Sequence, residues 1–383
     1  RTPKIRTTEP ALTFWRADFD AATNSFSPLT GRVALANSDG SGQQYLAYTA
    51  QAHCSCSPWN DCAPQAGGLN AALLPSWADE GNWLLYVRVT DHGGTSYPDI
   101  IARRMADGFE WNLTKNDNRA HADPVGRVLG GSAITVVFTR DRENVAVSCT
   151  GSSTGLAKVQ GLATVTFDRT TPAEGLPITL LTTPETDPAL NCTGWDPKHD
   201  NLGDFDPDIS PQTTRIDNIP PAPQLPVTWL IYSRRFNQND VTAAGDRFGD
   251  FDILAQTMDG STVKNLTGPD DGSASAGCAQ ATCADQIPSW ISNALRIAFA
   301  LVTPDFLNNS DIYTIAPTEL GDRERTNAQV NIAEMGALYL DSSPSWYPGA
   351  VKTDQNPDLV FLRTLIDLEI APPNLFRLYH PRL

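Results

Sequence analysis

The chain has 383 residues, a formal net charge of −16, and 27 Gly and 29 Pro residues. The acidic balance argues against nucleic acid phosphates and anionic membrane surfaces as partners, and it leaves cations, basic proteins and neutral sugars open. No apolar run approaches the roughly 18 residues that a membrane-spanning helix needs. Only 19% of the residues are charged, and with so many Gly and Pro residues this favours an all-β fold of short strands and turns.

One pattern recurs along the chain. Pro-Ser-Trp occurs at residues 75–77, 288–290 and 344–346, and each copy is followed by an apolar run and then by a segment that opens with Asp-Ile or a similar pair. Two copies close with Asp-Gly and then Asn-Leu-Thr. A looser copy begins at Asp204 and a weaker one at His121. The residues that carry the pattern are Pro75, Trp77, Asp204, Pro207, Asp285, Pro288, Trp290, Asp341, Pro344 and Trp346.

The spacing gives six repeats, called repeat 1 to repeat 6 below. A period of about 45 to 70 residues built of strands and Asp-Gly turns predicts a β-propeller, because one four-stranded blade cannot bury both of its faces alone. Pro-Ser-Trp would begin the innermost strand, the Trp would pack between blades, and Asp-Gly would form a hairpin turn. The expected bounds are 9–50, 71–115, 121–183, 204–268, 285–330 and 341–383, with residues 1–8 closing the ring as the outer strand of the last blade.

These motifs resemble the TolB-like propeller family, whose repeats read roughly Asp-x-x-Pro-x-Trp-Ser-Pro-Asp-Gly, then an apolar strand, then Asp-Ile-Tyr, Asp-Gly and Leu-Thr. The resemblance covers nearly the whole chain and implies an all-β, six-bladed β-propeller of four-stranded antiparallel blades, forming a single domain over residues 1–383. The Ser-Pro-Asp-Gly turn of the family is replaced by other sequences at 78–82, 291–295 and 347–351. Propellers of this type serve many roles, so the resemblance indicates the fold and not the function.

The seven cysteines lie among Gly, Ser and Pro, which is typical of disulfides in an oxidising compartment. We therefore expect a secreted or periplasmic protein. Zinc bound by His53 with Cys54, Cys56 and Cys62 is the alternative for the first cluster, although Cys-x-Cys is tighter than the usual hook of a zinc site. The candidate disulfide pairs are Cys278 with Cys283, Cys149 with Cys192, and Cys54 with Cys62, with one cysteine left over.

Most long insertions fall on the propeller face that the d–a and b–c loops share, and loops on a rigid scaffold commonly carry binding. They are Gln51–Leu69, Glu143–Lys158, Thr183–Gly203, Phe236–Gly249 and Gly268–Ala284, with Pro211–Pro226 on the opposite face. Four histidines fall in loops of the same face, which suggests a shared metal or acid–base site. The alternative is that they lie in different blades, out of reach of one another. These histidines are His53, His92, His121 and His199.

Asp204, Asp206 and Asp208 stand at alternate positions and are candidates for one Ca²⁺, which takes six to eight oxygen ligands. The alternative is that Asp204 simply belongs to the repeat. No phosphate-binding glycine loop and no haem-attachment motif occurs, so no cofactor other than calcium is expected. Gly151–Gly155 matches Gly-x-Ser-x-Gly, but the apolar run after it predicts a strand and not the helix of a nucleophile elbow.

We expect an exported, non-catalytic β-propeller whose loop-rich face holds a protein or glycan partner, or a structural subunit of an extracellular or periplasmic assembly, with self-assembly open. The alternative is a polysaccharide lyase or other hydrolytic propeller enzyme, with a His and metal site helped by Arg234 or Arg235. A third possibility is a propeller subunit of a larger redox complex whose haems belong to other chains. An enzyme predicts two of the histidines within about 5 Å of a common point. A binding module predicts dispersed histidines and an exposed apolar or aromatic patch.

Overall fold

All the long regular elements of the computed structural model are β-strands, joined by two short 3₁₀ helices at Pro28–Thr30 and Asp79–Gly81. Among the described residues no helix is long and apolar enough to cross a membrane. The structure describes residues 4–5, 12–17, 19–20, 25–37, 41–46, 68, 70–142, 145–148, 154–157, 159–182, 202–210, 228–235, 251–267, 284–290, 297–302, 310–315, 338–346, 359–366 and 376–379.

The strands fall into the repeats that the sequence predicts, with additional short hairpins in repeats 1 and 3. They are β1 (Lys4–Ile5), β2 (Leu12–Arg16), β3 (Phe19–Asp20), β4 (Ser25–Phe26), β5 (Arg32–Ala36), β6 (Gln44–Tyr45), β7 (Ala72–Ala78), β8 (Trp83–Asp91), β9 (Ser96–Arg104), β10 (Glu110–Asn112), β11 (His121–Gly130), β12 (Ala133–Asp141), β13 (Val145–Ser148), β14 (Thr154–Ala157), β15 (Val159–Asp168), β16 (Thr179–Leu180), β17 (Leu202–Ile209), β18 (Trp229–Arg235), β19 (Phe251–Thr257), β20 (Val263–Asn265), β21 (Ala284–Trp290), β22 (Ile297–Val302), β23 (Ser310–Ile315), β24 (Leu338–Trp346), β25 (Leu359–Ile366) and β26 (Phe376–Tyr379).

The chain forms two compact units. The first comprises residues 1–140, 163–179 and 347–350, and the second comprises residues 141–162, 180–346 and 351–383. The division passes through β15, the third long strand of repeat 3. The expectation of a single domain stays a prediction.

Pairing within each repeat is antiparallel and follows chain order, which confirms the all-β, antiparallel prediction. Repeat 2 forms a four-stranded sheet in the order β10-β9-β8-β7. In the second compact unit, neighbouring repeats are joined only by one or two parallel residue pairs, such as Phe251 with Ala284 and Ser310 with Leu340. The long run of strands in this unit is therefore a series of antiparallel sheets joined at single points.

The N-terminal segment does not lie where the sequence suggested. We expected residues 1–8 to supply the outer strand of the last repeat, but β1 pairs with β2 in the first sheet, Lys4 opposite Thr13 and Ile5 opposite Leu12. The order of that sheet is β1-β2-β5-β6. Only a short connection separates the two strands, so closing this hairpin costs little chain entropy. Repeat 1 therefore has the first strand that its sequence did not reveal.

The central strand β8 shows why the second strand of a repeat reads as an unbroken apolar run. Its first seven residues are all buried. Leu84 and Tyr86 pack in a core with repeat 1, whereas Leu85 and Val87 pack in a core with repeat 3. A strand covered on both faces keeps no polar alternation.

The proline of the repeat lies in a β-bulge. The residue before it has a positive φ in Leu74 (53°), Asp123 (49°), Asp206 (49°) and Ile287 (55°). The register shifts at the same place in β7, β11, β17, β21 and β24. A left-handed residue is uncommon outside glycine and is further disfavoured before proline, so the packing of the repeat must hold this conformation. The motif therefore marks a bulge that redirects the strand, and not only a strand start.

The tryptophan of the motif packs between neighbouring repeats, as predicted. Trp77 is 9% exposed and packs in a core with Val33 and Leu35 of repeat 1. Trp290 is 4% exposed and packs in a core with Ile231 of repeat 4. The side chain of Trp346 lies outside the described part of the structure.

Repeat 3 has Gly126 where the other repeats have Trp or Ile. A Cβ added there would lie 2.5 Å from Leu85 Cδ1 and 3.0 Å from Ala78 Cβ. We expect Gly126→Ala to lower the free energy of unfolding by about 1–3 kcal/mol, because the core between repeats 2 and 3 would be overpacked. Gly130→Ala in the same strand is the control, because no atom lies within 4 Å of its added Cβ. Urea denaturation should show a smaller loss for Gly130→Ala, and equal losses would contradict the packing account.

Candidate functional site

A buried carboxylate, Asp99, organises the polar end of repeat 2. It lies near the start of β9 and is fully buried. Its Oδ2 accepts hydrogen bonds from His92 Nε2 at 2.7 Å, from Asn112 Nδ2 at 2.8 Å and from the Thr90 hydroxyl. Its Oδ1 accepts one from the Thr114 hydroxyl at 3.0 Å. The two carboxylate oxygens therefore receive four protein hydrogen bonds.

The closing Asn-Leu-Thr motif has a structural role in this arrangement. The Thr114 hydroxyl, which donates to Asp99, also accepts a hydrogen bond from the Ile100 backbone N–H at 3.0 Å. This bond ties the segment after the outer strand to the third strand of the repeat. The equivalent pairs in repeats 3 and 4 are Leu162 N–H with Thr182 (2.9 Å) and Ile253 N–H with Thr267 (2.9 Å).

His121 is the second histidine near Asp99. Its side chain is fully buried, and its Nδ1 lies 3.7 Å from Asp99 Oδ1. Its Nδ1 donates to the Pro98 carbonyl at 2.9 Å, and its Nε2 donates to Asp117 Oδ2 at 3.0 Å. Both nitrogens of this ring are therefore engaged by the protein.

A comparison of repeats 3 and 4 explains why a histidine stands at this position. In repeat 4, Asp204 lies opposite Arg234 and forms an ion pair with it at 2.6 and 3.0 Å. In repeat 3, His121 takes the place of the Asp and lies opposite Arg140. The carboxylate comes instead from Asp117, which binds Arg140 at 2.5 and 2.9 Å. The guanidinium therefore keeps an acidic partner although the repeat has lost its own.

We call His92, Asp99, Asp117, His121 and Arg140 the histidine network. Burial acts to lower the pKa of His92, but the hydrogen bond and charge of Asp99, with smaller contributions from Asn118 and Asp91, outweigh it and raise the pKa above 6.5. Burial acts to raise the pKa of Asp117, but the hydrogen bonds and charges of His121 and Arg140 hold it well below its usual range. The network therefore favours charged side chains.

The structure brings together two of the four predicted histidines. His92 lies in the turn between β8 and β9, where the sequence placed it. His121 was expected in a loop, but it is the first residue of β11, because its backbone pairs in register with Arg140. Sequence reasoning did not find Asp99 or Asp117 as their partners. His53, His199 and all seven cysteines lie outside the described residues, so the disulfide and zinc predictions stay predictions.

The three aspartates proposed for calcium lie in strand β17 and not in a loop. Asp204 binds Arg234, and Asp208 Oδ2 accepts the Trp290 backbone N–H at 2.8 Å. Asp206 holds the positive φ of the bulge. Within the described ranges no group of three or more His, Cys, Asp and Glu residues is arranged to hold a metal ion. Calcium stays a prediction, and the visible contacts of Asp204 and Asp208 are structural.

An exposed aromatic pair, which sequence reasoning missed, lies at the other end of repeat 2. Phe109 is 42% exposed, and its ring centroid lies 6.3 Å from that of Trp111. The Arg104 guanidinium lies 5.2 Å from the Trp111 ring centroid. The pair follows the Asp107-Gly108 turn, whereas Asp99 lies near the start of β9. The alternation of aromatic residues in the short outer strand was the available signal.

No family model and no curated protein matches the chain. Among solved structures, hydrazine synthase from Kuenenia stuttgartiensis is similar over 96% of this chain and 43% of that chain, at 12% identity and a TM-score of 0.55. A structure described as TolB from Agrobacterium tumefaciens is similar over 83% of this chain and 87% of that one, at 12% identity and a TM-score of 0.38. Xylan β-1,4-xylosidase from Bacillus halodurans is similar over 76% and 48%, at 10% identity and a TM-score of 0.35.

This chain therefore spans less than half the length of the hydrazine synthase chain. Together with the repeated antiparallel sheets, that likeness supports a β-propeller fold. At this identity the likeness concerns the fold alone.

Proposed function

We propose that the chain is an exported, six-bladed, TolB-like β-propeller of four-stranded blades that acts as a binding module or structural subunit for a protein or glycan partner. The six repeats, the cores on both faces of repeat 2 and the tryptophans between repeats support this architecture. The loop-rich face is the proposed binding surface, because long loops on a rigid scaffold are where binding commonly lies.

One observation carries the choice of binding over catalysis. Both ring nitrogens of His92 and of His121 face oxygen atoms of the protein, at 2.7 to 3.1 Å. A general base needs a nitrogen within hydrogen-bond reach of the substrate proton, and a metal ligand needs a free lone pair. Their present hydrogen bonds give both histidines a structural role in holding repeats 2 and 3.

The enzyme alternative, a polysaccharide lyase or other hydrolytic propeller enzyme, has one observation in its favour. His92 and His121 approach the same carboxylate, with ring nitrogens 2.7 and 3.7 Å from Asp99. Convergence of two histidines is what that alternative predicts. Arg234, its proposed helper, is already paired with Asp204. The redox-complex alternative would give the chain a structural role and passes through the same binding test.

The test combines binding and turnover on one preparation. The protein would be screened on a glycan array and, separately, incubated with uronate polymers while the absorbance of unsaturated products is followed. We expect binding without turnover. A variant with Phe236–Gly249 and Thr183–Gly203 replaced by short Gly-Ser linkers should lose the binding, because these insertions belong to the proposed surface.

Two variants serve as controls. His92→Gln should bind as the native chain does, because His92 has a structural role in the proposal. Phe109→Ser removes an exposed aromatic side chain at the far end of repeat 2, so it distinguishes the loop-rich face from the aromatic pair. Turnover of any polymer that His92→Gln or His121→Gln abolishes would favour the enzyme alternative.

A further inference from the structure

The connection between repeats 2 and 3, residues 113–120, is held by both histidines of the network. Asn118 Oδ1 lies 3.0 Å from His92 Nδ1, and Asp117 Oδ2 lies 3.0 Å from His121 Nε2. Asp117 also binds Arg140. The histidine contacts therefore join the β8–β9 turn and the start of β11 to the same eight-residue connection.

Each histidine ring faces an oxygen acceptor at both of its nitrogens. For His121 the acceptors are the Pro98 carbonyl and the Asp117 carboxylate. For His92 they are the Asp99 carboxylate and the Asn118 amide oxygen. A carbonyl or carboxylate oxygen can only accept, so the imidazolium form alone donates all four hydrogen bonds.

Loss of the ring proton would place a nitrogen lone pair against an oxygen lone pair in each case. We propose that the histidine network is a pH-dependent clamp that holds residues 113–120 at acidic pH and loosens them as the pH rises above neutral.

The charged and titratable groups around the two rings agree with this direction. Asp91 and Asp99 act on His92, and the Tyr97 ring lies 5.2 Å from it. Asp117 and Arg140 face His121. Lys115, on the clamped connection, is bound to Glu174, and Arg119 and Asp123 flank His121 in the sequence at a distance of two residues.

The sign follows from the two perturbed groups. The pKa of His92 is raised above 6.5, so its contribution to folding is fully present below that pH and is lost as the pH rises through the raised value. The pKa of Asp117 is lowered, so its contribution is present above about 3.8 and is lost only as the pH falls well below that value. The clamp is therefore closed between these limits and loosened on the alkaline side.

Hydrogen exchange of the peptide covering residues 113–120 tests the clamp, measured on the full chain at about pH 5.5 and about pH 8.5 and corrected for the intrinsic exchange rate. We expect protection roughly tenfold lower at the higher pH. The turn at residues 257–262 is an internal control. It is held by Asp259, which accepts the Ser261 N–H at 3.0 Å and whose pKa is lowered to about 2, so its protection should not change with pH.

The matched variant is the double substitution Asp117→Asn with His121→Asp. It places an Asp opposite Arg140, as Asp204 stands opposite Arg234 in repeat 4, and it should fold with a pH effect of at most about twofold in this peptide. His92→Gln, which leaves His121 in place, should reduce the effect to about threefold and serves if the double variant does not fold. Equal protection at both pH values in the native chain, greater protection at the higher pH, or an unchanged pH effect in a folded variant would overturn the proposal.

Discussion

Asp99→Ala is expected to lower the free energy of unfolding by about 3–5 kcal/mol, one of the two largest effects among the substitutions considered. The carboxylate is fully buried and accepts hydrogen bonds from His92, Asn112 and Thr114. Removing it leaves these donors buried without their acceptor, and it leaves His92 without its negatively charged partner. Urea denaturation followed by circular dichroism measures the loss.

Asp107→Ala is the control for this prediction. Asp107 also pairs with an arginine, Arg104, but both side chains are about one-third exposed, at 35% and 33%. Exposed ion pairs contribute about 0–1 kcal/mol, so the loss should be small. A loss for Asp99→Ala no larger than that for Asp107→Ala would show that the polar end of repeat 2 does not depend on the buried carboxylate.

Trp290→Ala should have a similarly large effect, about 3–5 kcal/mol, because it opens a cavity between repeats 4 and 5. The side chain is 4% exposed and packs with Trp229 and Ile253 of repeat 4 and with Phe299 of repeat 5. Its backbone N–H is held by Asp208. The tryptophan therefore fixes the distance between two sheets and the position of its own strand.

Phe109→Ala is the matched control for Trp290→Ala, because it also truncates an aromatic side chain, but one that is 42% exposed. It should cost less than about 1 kcal/mol. Trp290→Phe should recover a part of the stability, since it refills some of the cavity. If thermal and urea denaturation gave similar losses for Trp290→Ala and Phe109→Ala, the motif would not be the packing device that the repeat suggests.

The packing of the repeats could be predicted because it is written in residue type and spacing. Pro-Ser-Trp recurs with an apolar run after it, so a shared strand and an inter-repeat tryptophan followed, and Trp77 and Trp290 confirm both. The bulge at the proline could not be predicted, because a positive φ before proline is against local preference. It is imposed by the packing around Leu74 and Ile287 and not by the sequence nearby.

The histidine network shows a different limit. His92 and His121 could be placed on one face of the fold from loop order, and the structure puts both near Asp99. Their partners could not be predicted, because Asp117 meets Arg140 across 23 residues and the repeat position of His121 normally holds an Asp. Likewise β1 joined its nearest neighbour in the chain, which the repeat pattern did not reveal.

The most direct test of the central claim is a crystal structure of the chain soaked in zinc, with anomalous scattering measured at the zinc edge. We predict no zinc within about 3 Å of His92 or His121. Both rings should remain bonded to Asp99, Asp117 and the Pro98 carbonyl, as in the present structure. A zinc ion bound by both rings would contradict the structural role of the network and bring the enzyme alternative forward.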